Sequence, residues 1–358
     1  TLVSTIATGA ASAKETMNGA LATRYSVDIV AMGDDISQQM VKDVADINGV
    51  SDTLYAPAVS VTLEKADGTQ PTSALLVGVK NIDQVKQVMR ANLGNASIDS
   101  DGVLMPTYNA QTGKELQFAN GTADFSTEWN QDGDATRSLT LQANQADYRR
   151  VSAQYGAVGF VDESHFTNGD LDAATHVLLV KADTDKSGVS VDGIYNDMQA
   201  ALEKSTDATV TGPIAERIVW ANMIDSMMML LVGLIAVAVL IALVGVANTL
   251  SLSVIERTRE SATLRAIGMT RGQLRASLAI EALLISLVSG IAGILLGTLF
   301  GWLGAYVVFS MYGKVVFPFE WGINGIVLAV AAVAALLASV FPARRAVSTP
   351  PVEALAEA

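Results

Sequence analysis

Three long stretches without a single charge constrain this chain more than any other feature. Ser226 to Ile255 runs for 30 residues without Asp, Glu, Lys or Arg, Ala282 to Gly313 for 32, and Trp321 to Ala343 for 23. About 20 apolar residues in a helix cross the hydrocarbon core of a bilayer, where the backbone must satisfy its own hydrogen bonds. The stretches therefore predict three membrane spans, at about 226–252, 280–309 and 323–342. A water-soluble reading would need a core large enough to enclose all three.

Basic residues orient the spans, because short cytoplasmic loops carry the Lys and Arg excess. The loop 255–276 holds Arg257, Arg259, Arg265, Arg271 and Arg275, and the tail holds Arg344 and Arg345. The connection between the second and third spans has only Lys314 and Glu320. Loop and C-terminus are thus expected inside, and residues 1 to about 221 outside. That outer part carries 15 basic against 29 acidic residues, a net charge of −14, which argues against nucleic acid as a partner. The absence of cysteine excludes a disulfide framework and thiolate chemistry.

An outer N-terminus and three spans leave an odd count, and the chain opens on TLVSTIATGAASAKETM, which lacks signal-peptide features. The expectation is a stalk helix over 1–24 that follows a fourth span before residue 1.

Residues 25–212 read as an α+β exterior domain. Tyr25 to Ala31 alternates as a strand does, and Ile36, Met40, Val41, Val44 and Ile47 share a helical face before Gly49. Val59 to Glu64 and Ala74 to Val79 read as strands about Asp67-Gly68, followed by a short helix through Ile82, Val85, Val88 and Met89. A strand at His176 to Val180, a helix from Ser190 to Leu202 and a strand at Ala208 to Thr211 complete the pattern. The expected core is therefore discontinuous, 25–92 with 174–212, around a polar, β-rich insertion at 93–173. Gly212 then punctuates the exit and Pro213 suits the first position of a helix. From there through Arg217 and Trp220 no Gly, Ser or further Pro interrupts the way to the first span, so a stiff lever is expected rather than a flexible linker.

In the charged loop, Gly268 is placed to end one helix and Thr270-Arg-Gly-Gln273 forms a capping box for the next. Leu264 and Ile267 share a face with Glu260, while Arg257 and Arg265 project elsewhere. Such a helix suits either anionic headgroups or a groove on a soluble partner. The run ERTRESATLRAIGMTRGQLR, with a tail reading FPARRAVSTPPVEAL, resembles the C-terminal module of FtsX-like permeases, the MacB/LolC/LolE group of ABC transporter membrane subunits. The residues that carry the likeness are Glu256, Arg257, Glu260, Leu264, Arg265, Gly268, Arg271, Pro342, Ala343, Ala346, Pro350, Glu353, Ala354 and Leu355. Ser261 stands where the family helix commonly has Ile or Phe. The likeness implies a membrane protein with an α-helical transmembrane bundle and an α+β extracytoplasmic domain, multi-pass in the bacterial cytoplasmic membrane. It makes 255–276 a coupling loop, in which Glu256, Arg257, Arg259, Glu260, Leu264, Arg265, Gly268 and Arg271 contact an ABC ATPase.

No Gly-x-x-x-x-Gly-Lys-Ser/Thr occurs, so ATP and Mg belong to a partner ATPase subunit and no cofactor is expected in this chain. Gly290, Gly293, Gly297, Gly301 and Gly304 line one face of the second span, where small residues allow close helix approach. Packing on other spans of the chain and a seam with a second permease half or homodimer mate are equally compatible with that face. Glu281, at the inner edge of this span, suits a structural contact with headgroups or nearby Arg. Asp183-x-Asp185-x-Ser187-Gly188 imitates half of a calcium loop but has Ile194 where a bidentate Glu is needed. His165 and His176 have no companion ligands, and neither a metal nor a catalytic site is expected.

The resemblance thus implies a permease subunit that couples a separate ATPase to movement of the exterior domain, with substrate handled outside the membrane. A possible extracytoplasmic partner protein and membrane lipids complete the expected contacts. An FtsX-type regulator of a cell-wall hydrolase and a sensor of peptide-antibiotic flux are the rivals.

Overall fold

The structure is a computed structural model that describes residues 1–64, 71–129, 135–256 and 268–348. It divides into two compact units, one of residues 18–220 and one of residues 1–17 with 221–358.

The first unit is built on nine strands: β1 (Ile29–Gly33), β2 (Val50–Leu63), β3 (Thr72–Val79), β4 (Gly102–Pro106), β5 (Thr122–Trp129), β6 (Ala135–Ala146), β7 (Ala157–Asp162), β8 (Thr175–Ala182) and β9 (Thr209–Thr211). They hydrogen-bond in the order β3-β7-β4-β6-β5-β2-β8-β1-β9, and β3 also pairs with β2, so six of them close into a ring. The length of β2 makes this possible. Its first half pairs with β8 from Val50 to Ala58, and its second half pairs with β3 and, at Thr62 and Leu63, with β5. Strands β4 to β7, from the polar stretch 93–173, thus share a sheet with strands of 25–92 and 174–212. The alternating set Val61, Leu76, Met105, Phe125, Leu141 and Val161, drawn from all six ring strands, forms one apolar cluster.

Strands β8, β1 and β9 extend beyond the ring. The first strand lies at Ile29–Gly33, later than the alternation of Tyr25 to Ala31 suggests, because it is buried on both faces and its pattern is a continuous apolar run. Ile29 and Ala31 enter a cluster with Met40 and Val44 of α2 (Gln38–Ala45) and Ile194 and Met198 of α5 (Val191–Ala201). Val30 and Met32 enter another with Val85 and Val88 of α3 (Ile82–Val88). Side chains of Ser37, Asn81 and Ser190 accept from the backbone N–H three residues on and so cap α2, α3 and α5. A four-residue turn of helix, α4 (Ser164–Thr167), follows β7.

The second unit is helical. It takes α1 (Leu2–Arg24) as far as Met17, α6 (Pro213–Glu256) from residue 221 on, α7 (Arg271–Phe309) and α8 (Trp321–Ser348). Among the described residues two helical segments are long and apolar enough to cross a membrane, Pro213–Ala242 and Gly272–Phe309, and a shorter apolar one covers Trp321–Leu337. Large apolar side chains stand out all along these helices, with Met229 79%, Val244 72% and Val307 74% exposed. Such a continuous apolar surface is untenable in water and natural in lipid. The chain is a membrane protein.

Candidate coupling and transmission elements

The exit from the nine-stranded unit is fixed by backbone chemistry. Gly212 has φ +103°, a conformation that L side chains rarely adopt, and a β-carbon there would lie 3.1 Å from the Asp28 carbonyl oxygen. Pro213 is the first residue of α6, where its missing N–H leaves nothing unsatisfied. The Ile214 N–H donates to the Asp28 carbonyl at 3.3 Å, and Ile214 and Ala215 are buried. The Tyr25 hydroxyl donates to Glu216 Oε1, while the Arg150 guanidinium sits 5.5 Å from the centroid of the Tyr25 ring. Burial, and then the hydrogen bond to Glu216, push the Tyr25 phenol far above its ordinary pKa, so it remains a donor.

Beneath this joint Asp28 organises the base of the unit. Arg90 Nε and Nη2 donate to its two carboxylate oxygens at 2.7 and 2.8 Å, and the Ala182 N–H adds a third bond at 2.8 Å. Arg217 lines a cavity of about 290 Å³ with Asp28, Arg90 and Tyr25. Trp220 is 42% exposed. Pro213, Arg217 and Trp220 all lie on one helix, which runs without interruption from Pro213 to Glu256.

Of the coupling residues, Arg257, Arg259, Glu260, Leu264 and Arg265 lie outside the described residues, and Glu256 and Arg271 are described by their backbone alone, as the last residue of α6 and the first of α7. Gly268 has φ +110°. Thr270 caps α7 with both bonds of a capping box: its side chain accepts from the Gln273 N–H at 3.3 Å, and its own N–H donates to Gln273 Oε1 at 2.9 Å. Helix α7 thus has a fixed start.

Of Gly290, Gly293, Gly297, Gly301 and Gly304 in α7, three face the N-terminal segment that begins at Thr1 and continues as α1. A β-carbon at Gly293 would lie 3.2 Å from Thr1 N, at Gly297 2.5 Å from Thr1 O, and at Gly301 2.7 Å from Thr5 O. At Gly290 the neighbour is the Leu328 side chain of α8, 2.9 Å away, and at Gly304 nothing lies within 4 Å. The intramolecular partner of this face is a stripe in α1 that the sequence reading did not single out: Ser4, Thr8, Ser12 and Thr16, all buried. The Ser12 hydroxyl donates to the Val316 carbonyl, and the Val316 N–H donates to Thr16 Oγ1 at 3.1 Å, so α1 holds the connection between α7 and α8. Lys14 pairs with Asp225 of α6. The four-residue spacing of these hydroxyls is visible in the sequence and was the signal for a packed helix face.

His165 Nδ1 lies 2.9 Å from Asp170 Oδ2, and His176 stacks on Tyr55 with ring centroids 5.1 Å apart. Among the described residues no group of three His, Cys, Asp or Glu is arranged to hold a metal ion.

Residues 232–351 match the family described as FtsX-like permease C-terminal. Similar proteins include an uncharacterized ABC transporter permease of Methanocaldococcus jannaschii, 27% identical over 178 residues that make up 48% of this chain and 44% of that protein. Macrolide export ATP-binding/permease proteins MacB are similar too. That of Bordetella avium is 37% identical over 131 residues, and that of Nitrobacter winogradskyi 32% over 131 residues; each match covers 36% of this chain and 19% of the relative. The matches therefore span less than half the length of these relatives. Among solved structures, the periplasmic region of MacB from Actinobacillus actinomycetemcomitans aligns with a TM-score of 0.30 at 10% identity, over 55% of this chain and 94% of that one. The extracellular domain of the ABC-type transporter YknZ aligns with a TM-score of 0.27 at 9% identity, over 52% and 100%. Residues 232–351 thus carry an FtsX-like permease C-terminal module, similar to that of ABC transporter permeases of the MacB type.

Proposed function

We propose that the chain is a permease subunit that transmits the work of an ATPase on a separate chain, through α6, to the exterior domain. Export or extraction of a substrate outside the membrane follows from the resulting change of shape. The observation that carries this reading is the single helix from Pro213 to Glu256, whose first turn is locked to Tyr25 and whose last residue opens the charged loop. A helix resists bending because each turn is cross-linked by hydrogen bonds, so displacement at one end reaches the other. A Gly-rich joint would absorb it.

In this reading α6, α7 and α8 carry three spans in a cell membrane, the loop 255–276 faces the ATPase, and the domain 25–212 stands outside. ATP and Mg are bound by the ATPase in this reading. A second permease half or a copy of this chain completes the transporter. Replacing Glu256 and Arg257 together with Ala should abolish stimulation of the ATPase by substrate in the reconstituted complex and leave insertion of the permease intact. Unaltered stimulation would remove this loop from the coupling path.

A further inference from the structure

Residues 1–221 carry a net charge of −14, yet one cavity of the exterior unit gathers three arginines. It measures about 540 Å³, and Arg24, Arg149, Arg150, Tyr108 and Gln111 line it together with a single carboxylate, Asp147. Two of the guanidinium groups are held in place from behind. Arg149 Nη1 donates to the Thr23 carbonyl at 2.7 Å, and Arg150 Nη2 donates to the Ala110 carbonyl at 2.6 Å while its fork lies against the Tyr25 ring. Each has five N–H donors and spends one on these contacts. Arg24, exposed at the end of α1, is joined to Arg150 through its backbone, its carbonyl accepting from the Arg150 N–H at 3.2 Å. Tyr108, 53% exposed, adds a phenol at the wall.

Like charges drawn to one cavity repel each other and cost stability unless an anion joins them. A guanidinium fork matches carboxylate and phosphate oxygens in two parallel hydrogen bonds. One fork satisfies one carboxylate, whereas three forks against a single Asp suit a group with more oxygens and more charge. We propose that the cavity walled by Arg24, Arg149, Arg150 and Tyr108 binds a phosphate group, carried by a soluble phosphorylated compound or by a phospholipid headgroup.

The proposal is independent of the transport reading, because binding can be measured without an ATPase. Full-length chain in neutral detergent and phosphate-free buffer is titrated calorimetrically with inorganic phosphate and, separately, with short-chain phosphatidylglycerol. Binding of at least one probe is expected, weaker at high salt. Loss of a charged hydrogen-bonding partner should weaken it roughly tenfold or more in Arg24→Gln and in Arg149→Gln. Lys42→Gln, on the exposed side of α2, should bind as the parent does. Binding of inorganic phosphate comparable to the lipid assigns the site to soluble phosphoryl compounds, and binding of the lipid alone assigns it to headgroups. No heat with either probe, or wild-type affinity in both arginine variants, overturns the proposal.

Discussion

Tyr25 is where the nine-stranded unit grips α6, and its chemistry sets what can be tested there. The phenol is buried, faces Glu216 and stays protonated, so it donates to the Glu216 side chain. Tyr25→Phe should lower the stability of the exterior unit by about 1 to 2 kcal/mol, and a double-mutant cycle with Glu216→Gln should show that the two changes are not additive. Additive effects in urea unfolding would mean the two side chains act separately. Asp35 offers a test by pH. The Ser205 hydroxyl and then the Thr206 N–H hold its carboxyl well below the usual carboxylate range. A depressed folded value means its contribution is complete above the unfolded pKa of about 3.9 and is lost as pH falls through the folded one. The stability gap between wild type and Asp35→Asn, measured by thermal unfolding, should therefore narrow on acidification from pH 5 to about pH 2. A gap independent of pH would contradict this account of Asp35.

The elements differ in how far their residues announced them. Helix α7 was legible down to its cap, because Thr270 and Gln273 fix its start by local chemistry alone. The helices α2, α3 and α5 and the strands β3 and β8 follow from short-range periodicity and capping residues in the same way. The closed ring did not, since it depends on β2 exchanging partners along its length and on the parallel pairs β3–β7 and β4–β6, which join distant segments. No local pattern encodes such pairings. The glycine face of α7 was legible as a place of close approach, but its neighbour was not, because small residues mark a short distance and not an identity. With α1 seated on Gly297, Gly297→Leu should disturb the helical unit, by about 1 to 3 kcal/mol as for overpacking elsewhere, and lower the melting midpoint in detergent. Gly304→Leu, with nothing within 4 Å, should leave it unchanged. Equal effects of the two would argue against α1 as the neighbour that matters.

At the scale of the whole molecule, two units share α1 and α6, and the account rests on α6 acting as a rigid member. Each Gly in a helix interior costs about 1 kcal/mol relative to Ala and frees the backbone locally. Three of them after the first turn should soften α6 there while the Tyr25–Glu216 bond and the apolar stretch beyond Asp225 stay intact. The decisive measurement is hydrolysis and substrate movement on the same reconstituted complex carrying Arg217→Gly, Ala221→Gly and Met223→Gly. The account predicts basal ATP hydrolysis close to wild type with export or extraction abolished; undiminished substrate movement would mean that the exterior domain is not driven through this helix.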